Sequence, residues 1–394
     1  MRKSILIGIA IALTAMVAVA CKSSPKETVY DVYVAGSEAH DPFWKTELWV
    51  NGKSAGAPSA DGGLKAVFVS GNDIYVAGSE ILEGGSSMSA ALWKNGVAVP
   101  LTPSGRVSYA HSVFVSGSDV YVVGYAQQKD TGTWCATLWK NGKPKTLSDA
   151  PSGAYSVFVS GQDLYISGYE KDETTGNLHA TLWRNDEVIK LKSSAKHTSA
   201  NAVYVEGRDV YAVGYKMTFD AKMFAMLWRN GTPEEITNGE RWAEARSLFV
   251  SGNDVYVVGH ENYGGKDVAM LWRNGTPEEI TNGERWAEAR SLFVSGNDVY
   301  VVGHENYGGK DVAMLWRNGT RTKLSSSGAE KADALSVYVI DDNVYVVGTE
   351  KKGGKDVAML WKKVKGSDSW ISEELTDGKE SAEAASVFVV KRNK

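Results

Sequence analysis

The charged residues best suited to bind a ligand occur in two Glu-Ala-Arg triplets. Glu244 and Arg246 belong to the first, and Glu288 and Arg290 belong to the second, 44 residues later. A carboxylate and a guanidinium can bind each other, or they can together hold a polar ligand. Two interpretations therefore stand: local Glu–Arg pairs at a solvated channel mouth, or a polar pocket for a sugar, a peptide or a cation.

The aromatic residues divide into a repeated set and a remainder. Tryptophan recurs at positions 49, 93, 139, 183, 228, 272, 316 and 361, and this regularity predicts packing rather than carbohydrate stacking. The other aromatic residues are better ligand candidates, although packing within loops would also account for them. They are Trp44, Trp134, Trp242, Trp286, Tyr263 and Tyr307.

The sequence contains no residue pattern typical of catalysis or metal binding. Six histidines are scattered, and no His-Glu-x-x-His, Cys-x-x-Cys, Gly-x-Ser-x-Gly, calcium-loop or phosphate-loop spacing occurs. Cys135 is interpreted as a small buried core residue. We predict a protein that is not an enzyme and has no metal or cofactor. A hydrolase or lyase sited in a central channel is the alternative from the enzyme class.

A repeat of about 44 residues must position these side chains. Leu-Trp pairs recur at intervals of 44 to 46 residues, in step with an apolar-Tyr-apolar-x-Gly motif. Each unit predicts four strands, a to d, with a Ser-Gly-Asn-Asp turn between a and b and an Asn-Gly hairpin between c and d. Eight such units predict an all-β fold, an eight-bladed β-propeller of four-stranded antiparallel blades.

The two ends of the repeat region predict how the ring closes. The first unit begins at strand b, near Val29, and the chain finishes with a strand a, Ser386 to Val390. That last strand would complete the first blade and remove an open sheet edge. Residues 225–276 recur unchanged as 269–320. Because one unit is an exact copy, seven blades plus one loosely packed repeat is the alternative.

The order of apolar strand, short turn, apolar-Tyr-apolar-apolar-Gly and later tryptophan resembles the kelch repeat over all eight units, Val29 to Val390. Two features depart from kelch repeats: a single glycine replaces their Gly-Gly pair, and the tryptophan falls on strand c rather than d. The resemblance implies that strand a is innermost. It implies no activity. The chain is also similar to repetitive bacterial surface lipoproteins.

The N-terminus has the layout of a secretory signal, with Arg2 and Lys3 before an apolar run. Ala18 to Cys21 resembles the bacterial lipobox, which implies cleavage before Cys21 and lipid attachment to it. We therefore expect a signal peptide at 1–20, a lipidated cysteine and tether at 21–28, and a propeller at 29–394. The protein would be exported and anchored by lipid to the cell envelope.

The antiparallel strand order predicts two unlike faces. The a–b and c–d turns are nearly the same in every unit, whereas the b–c and d–a loops vary. Loops held by a rigid scaffold are where binding residues concentrate. We therefore expect a noncatalytic binding or interaction module that meets an unidentified protein or glycan through the b–c and d–a loop face. A lectin with repeated sites is the alternative. The net charge of -4 argues against nucleic acid, and we expect a monomer.

Overall fold

A computed structural model describes residues 28–40, 43–56, 61–81, 87–102, 106–191, 193, 195–281 and 283–393. These residues form thirty-two β-strands. Within them, no helix has the length and apolar character needed to cross a membrane. Cys21 and the predicted signal segment lie outside the described residues.

The strands fall into four sets, one strand of each set per blade. The b strands are β1 (Thr28–His40), β5 (Asp73–Ile81), β9 (Asp119–Gln127), β13 (Asp163–Lys171), β17 (Asp209–Met217), β21 (Asp254–Tyr263), β25 (Asp298–Tyr307) and β29 (Asn343–Lys352). The c strands are β2 (Phe43–Val50), β6 (Met88–Lys94), β10 (Trp134–Lys140), β14 (Leu178–Arg184), β18 (Met223–Arg229), β22 (Lys266–Arg273), β26 (Lys310–Arg317) and β30 (Lys355–Lys363). The d strands are β3 (Lys53–Ser54), β7 (Val97–Pro100), β11 (Lys143–Thr146), β15 (Glu187–Lys190), β19 (Thr232–Glu235), β23 (Thr276–Glu279), β27 (Thr320–Lys323) and β31 (Ile371–Glu374). The a strands are β4 (Gly62–Ser70), β8 (Ser108–Ser116), β12 (Ser152–Ser160), β16 (His197–Glu206), β20 (Ala243–Ser251), β24 (Ala287–Ser295), β28 (Lys331–Ile340) and β32 (Ala382–Asn393).

Each blade is an antiparallel sheet in the order a-b-c-d, which confirms the predicted eight-bladed propeller. A single parallel pairing of Leu178 with His197 links the sheets of blades 4 and 5. The a strands of neighbouring blades contact one another, and strand d is largely exposed. Strand a is therefore innermost, beside a central channel.

The ring closes through its two terminal strands, as predicted. Strand β1 pairs with β32 in antiparallel register from Thr28, opposite Asn393, to Glu38, opposite Ala382. The first blade therefore takes its strand a from the C-terminal end of the repeat region.

Eight buried clusters hold the blades together, one at each junction between neighbours. The eight repeated strand-c tryptophans are all at most 1% exposed, which confirms their packing role. The alternative of seven blades plus one loose repeat is wrong. Both junctions of the copied blade are filled, with Trp272 in one cluster and Trp316 in the next. Cys135 is also buried, as predicted.

The face formed by the a–b and c–d turns, here called the constant face, carries the same clamp in blades 1 to 7. In blade 4, Asn185 has a φ of 53°, accepts the Leu164 N–H at 2.9 Å and donates to Asp163 at 2.9 Å. Asp163 also accepts from Arg184 at 2.6 Å and from the Tyr165 hydroxyl at 3.4 Å. The clamp therefore joins two turns, and its repetition shows a structural role.

Candidate functional site

Every a strand carries a β-bulge near its start, at the opposite end of the blade from the constant face. The bulge leaves one residue without a cross-strand partner on strand b, and that residue differs from blade to blade. In blade order from blade 2, these residues are Lys65, His111, Tyr155, Asn201, Arg246, Arg290, Leu335 and Ala385. Bulges re-aim side chains and are common beside active sites. This ring, with its cross-strand neighbours, is here called the channel mouth.

The repeated glycine of strand b makes each bulge possible. A Cβ atom on Gly259 would lie 1.9 Å from the main-chain oxygen of Glu244, and the other seven glycines have equivalent contacts. Only a residue without a side chain lets the bulged strand approach so closely. The sequence motif that marked strand b therefore also marks where the neighbouring strand a bulges.

Blades 6 to 8 contribute a chain of ion pairs, here called the ionic arc. Arg246 contacts Glu288 at 2.6 Å and Glu244 at 3.5 Å. Arg290 contacts Glu288 at 3.0 Å and Asp333 at 3.1 Å. The structure thus brings together the four charged residues that the two triplets singled out, and it adds Asp333.

The two arginines of the ionic arc hold Glu288 in its charged form. Burial opposes ionisation of Glu288, but Arg246 and Arg290 outweigh it and lower the pKa of that carboxyl. Burial, together with Arg246, lowers the pKa of the neighbouring His260. Each guanidinium therefore lies between two carboxylates, and the His260 imidazole near Arg246 is neutral at neutral pH.

Blades 3 to 5 contribute the opposite wall, here called the tyrosine arc: Tyr125, Tyr155, Tyr169 and Tyr215. Tyr155 is the bulged residue of blade 4, and its ring lies 5.9 Å from that of Tyr169. The other three follow the repeated glycine of strand b and pair across to strand a. None of the four hydroxyls makes a hydrogen bond within the described part of the chain.

Sequence analysis missed the three strand-b tyrosines of this arc. The available signal was the residue after the repeated glycine, which reads Ser, Ser, Tyr, Tyr, Tyr, His, His and Thr around the ring. Its variation resembles that of the bulged position. The two positions line the same opening because they are near neighbours across strands a and b.

His111 joins the tyrosine arc. Its ring lies 5.1 Å from Tyr125 and 5.7 Å from Tyr155, and its Nε2 atom is buried without a hydrogen-bond partner in the described residues. Burial, helped by the Lys65 ammonium, lowers the pKa of His111 to about 4. Burial also raises the pKa of Tyr155, Tyr169 and Tyr215. This wall is therefore uncharged at neutral pH.

An open pocket of about 520 Å³ lies between the two arcs. Tyr155, Tyr215, Asn201, Glu244 and Arg246 are among its lining residues. Asn201 bridges the arcs by donating to Glu244 at 3.0 Å. The volume falls within the range of about 300 to 1,000 Å³ that small-molecule sites occupy.

A closed ring of aromatic side chains lies between the pocket and the constant face. It has one member per a strand, and neighbouring ring centroids are 4.9 to 5.3 Å apart. Its members are Phe68, Phe114, Phe158, Tyr204, Phe249, Phe293, Tyr338 and Phe388. The members of this collar do not themselves line the pocket.

Two predicted aromatic residues are exposed at the rim of the mouth. Trp242 is 56% exposed and Trp286 is 48% exposed, at equivalent positions in blades 6 and 7. Tyr263 is covered by Arg241, whose guanidinium lies 3.5 Å from the ring centroid, and its hydroxyl donates to Glu279 at 2.8 Å.

The remaining predicted aromatic residues do not join one site. Tyr307 lies between Arg285 and Lys323, whose charged groups are 4.5 and 3.7 Å from its ring. Trp134 packs edge-on against Tyr125 at 5.4 Å and so supports the tyrosine arc from behind. Trp44 is 43% exposed in blade 1.

Two further features bear on chemistry. No group of three or more His, Cys, Asp or Glu side chains among the described residues is arranged to hold a metal ion. A cavity of about 570 Å³ between blades 4 and 5 lies on the constant face and includes Asp163, Tyr165 and Arg184 in its lining. Because these residues belong to the repeated clamp, we place the candidate site at the mouth.

Comparison with known structures finds proteins whose fold is similar to that of this chain. The chain resembles a puromycin-hydrolyzing peptidase of Mycobacterium tuberculosis with a TM-score of 0.52 and 11% identity, over 80% of this chain and 54% of that one. It also resembles the β-propeller domain of the Trilobed protease from Pyrococcus furiosus, with a TM-score of 0.48 and 12% identity, over 82% and 97% of the two chains. The chain thus spans about half the length of the first peptidase. At these identities the likeness concerns the fold alone.

Neither a protein family nor a curated protein matches the sequence. The kelch-like features therefore stay a resemblance in strand order.

Proposed function

We propose that this protein is a noncatalytic lipoprotein of the cell envelope whose propeller binds a ligand at the channel mouth, on the variable b–c and d–a loop face. The observation that carries this proposal is the ring of bulges. Every blade aims one residue of strand a at the same opening, and that residue varies while the packing residues repeat. A rigid frame with variable side chains at one end suits recognition.

The ion pairing of the carboxyl groups at the channel mouth favours binding over catalysis. A general acid needs a carboxyl group whose pKa lies near the working pH. At the mouth, the arginines instead lower the pKa of Glu288, and Asp333 is paired with Arg290. These groups are suited to hold hydrogen-bonding partners in place.

The position of Thr28 indicates which face of the propeller would lie toward the membrane if Cys21 carries a lipid. Strand β1 begins at Thr28, next to the C-terminal end of β32, and therefore at the constant face. A lipid on Cys21 would be within about 25 Å of Thr28 along an extended chain. The constant face would then lie toward the membrane, and the channel mouth would point away from it.

Glycan and envelope-protein arrays probed with the full chain test the binding role. Each ligand found is retested with Arg246→Gln and Tyr155→Ala at the mouth, and with Arg273→Gln on the constant face as the control. We expect both mouth variants to weaken binding, Arg246→Gln by about threefold to tenfold and Tyr155→Ala by more than tenfold, and the control to leave it unchanged. Ligands that bind all three variants equally would place recognition elsewhere and overturn the proposal.

Membrane fractionation tests the anchor separately. The Cys21→Ser chain should move from the membrane fraction to the soluble fraction, because a single lipid-bearing residue would hold the wild type. An unchanged distribution would contradict the lipid anchor without bearing on the mouth.

A lectin with repeated rim sites is the second candidate, favoured by Trp242 and Trp286. Both indoles are exposed at equivalent places in neighbouring blades, as stacking platforms for successive units of a glycan would be. The double variant Trp242→Ala, Trp286→Ala should abolish binding of a polymeric glycan if the rim binds it. Retained binding would leave the mouth as the site.

A further inference from the structure

The two arcs of the channel mouth together define the chemistry of a ligand, on the premise that the mouth is the binding site proposed above. The tyrosine arc offers half-buried aromatic rings and four hydroxyls without a partner in the described residues. A hydroxyl can donate one hydrogen bond and accept two. Tyrosines on the constant face differ, because the Tyr256 hydroxyl, for example, donates to Asp254 at 3.3 Å.

Every charged side chain of the ionic arc already has a partner of opposite charge, although its three carboxylates outnumber its two guanidiniums. Its two guanidiniums are each in contact with two carboxylates, and Glu288 is shared between them. In the pocket, a cationic ligand would meet Arg246 and Arg290, whereas an anionic ligand would meet Glu244. Removing an ion from water is costly unless an opposite charge compensates it. Because the opposite charges are already paired with one another, the pocket favours a neutral ligand.

Hydrogen-bonding capacity is nevertheless high. Asn201, Glu244 and Arg246 line the same pocket as Tyr155 and Tyr215. Planar groups of this kind hydrogen-bond pairs of neighbouring hydroxyls, and aromatic rings pack against C–H groups. A ligand with many hydroxyls and an apolar C–H face satisfies both walls at once.

We infer that the channel mouth binds a neutral saccharide, with the C–H face of a sugar ring on Tyr155 and Tyr215 and its hydroxyls bonded to Asn201, Glu244 and Arg246. The collar of aromatic rings lies on the constant-face side of the bulges, so the sugar enters from the variable face. The Tyr hydroxyls bond the remaining sugar oxygens. This site differs from the rim tryptophans, which do not line the pocket.

A titration of the full chain by saturation-transfer NMR tests the inference. The neutral probes are maltose, lactose, cellobiose and N,N′-diacetylchitobiose, backed by a neutral glycan array; choline and citrate are the cationic and anionic probes. We expect at least one neutral saccharide to bind and neither ion to bind. Exclusive binding of choline or citrate, or no binding by any neutral glycan, would overturn the inference.

Variants locate the bound sugar and separate packing from hydrogen bonding. Tyr155→Phe, which keeps the ring, should weaken saccharide binding about threefold to tenfold, and Tyr155→Ala should weaken it by more than tenfold. Tyr256→Phe removes a constant-face hydroxyl and should leave affinity unchanged, as should Trp242→Ala with Trp286→Ala. Equal affinity of wild type and Tyr155→Ala would overturn the inference.

The two proposals fail in different ways. A protein ligand that binds wild type but not Arg246→Gln, with no saccharide bound, would overturn the saccharide inference and leave the binding role standing. Ligands that ignore every mouth variant would overturn both.

Discussion

The constant face and the channel mouth lie at opposite ends of the same a and b strands. On the constant face, blades 1 to 7 repeat one clamp of Asp, Asn and a cation, and the Tyr hydroxyl joins it in blades 2 to 6. At the mouth, the bulged residue differs in all but two neighbouring blades, which are copies. The repeated positions make packing contacts within and between blades, and these contacts are the same in every blade, so the residue type is the same as well. The varied positions face the central opening, where packing does not restrict the residue type.

The largest expected effect is a difference in stability between alanine variants of two glycines in blade 2. One is the repeated glycine of strand b, and the other lies at the channel mouth. A Cβ on Gly78 would lie 2.2 Å from the main-chain oxygen of Gly63, whereas a Cβ on Gly63 would meet no atom within 4 Å. Gly78→Ala should therefore destabilise the protein by about 3 kcal/mol or more, and Gly63→Ala by less than about 0.5 kcal/mol. Denaturant unfolding of both variants measures this. Equal stabilities would show that the strands do not approach as closely as described.

The second effect depends on pH and comes from the mouth. His111 has a pKa of about 4 in the folded protein and about 6.5 when unfolded. The unfolded state therefore takes up a proton first as the pH falls, and stability is lost from about pH 6.5 down through about pH 4, by up to about 3 kcal/mol.

His111→Phe keeps the ring contacts with Tyr125 and Tyr155 but cannot be protonated. We expect this variant to lose less stability than wild type between pH 7 and pH 4, with exposed His40→Gln as the control. Unfolding midpoints across this pH range measure the difference. Parallel curves for wild type and His111→Phe would contradict it.

The third effect compares two asparagines. Asn185 in the clamp has a positive φ and accepts a main-chain N–H, whereas Asn201 at the mouth bonds Glu244 and the Ala245 carbonyl oxygen. Asn185→Ala should cost about 2 kcal/mol, because it combines backbone strain with an unsatisfied donor. Asn201→Ala should cost less than about 1 kcal/mol but weaken ligand binding. Thermal unfolding and the saccharide titration distinguish them, and the reverse order of stability would break the comparison.

The smallest effect on stability concerns two arginines of blade 6. Arg273 is half exposed on the constant face, and Arg246 is about one-quarter exposed at the mouth. Either change to Gln should alter stability by no more than about 1 kcal/mol, since partly solvated ion pairs contribute little. Only Arg246→Gln should weaken saccharide binding, by about threefold to tenfold. Equal binding by both variants would remove the distinction between the two ends of the strands.

Much of the fold was predictable because the same turn residues and the same buried aromatic residues occur in each of the eight units. The Asn-Gly turns adopt the positive φ angles that a tight hairpin requires, and the Trp and Tyr of each unit are buried. The sequence alone could not exclude seven blades with a loose repeat, because the sequence of an exact copy does not show whether that copy packs against the adjacent blades. The filled junctions around Trp272 and Trp316 decide that point.

The site was only half predictable. Glu244, Arg246, Glu288 and Arg290 stood out because each triplet is charged and recurs at the period of the repeat. Tyr125, Tyr169 and Tyr215 did not stand out, because their meaning depends on cross-strand register with strand a. A bulge shifts that register by one residue, and the alternation of polar and apolar residues in the sequence does not reveal where a bulge occurs.

By itself, the sequence determined the strand order, the number of repeats and the strand that closes the ring, because these follow from local turn chemistry and a fixed period. Only the tertiary structure decided that strand-b residues such as Tyr215 share the channel mouth with the bulged residues of strand a. Residues such as Tyr155 and Arg246, about ninety positions apart in the chain, line one pocket because closing eight blades into a ring brings every bulge to the same axis.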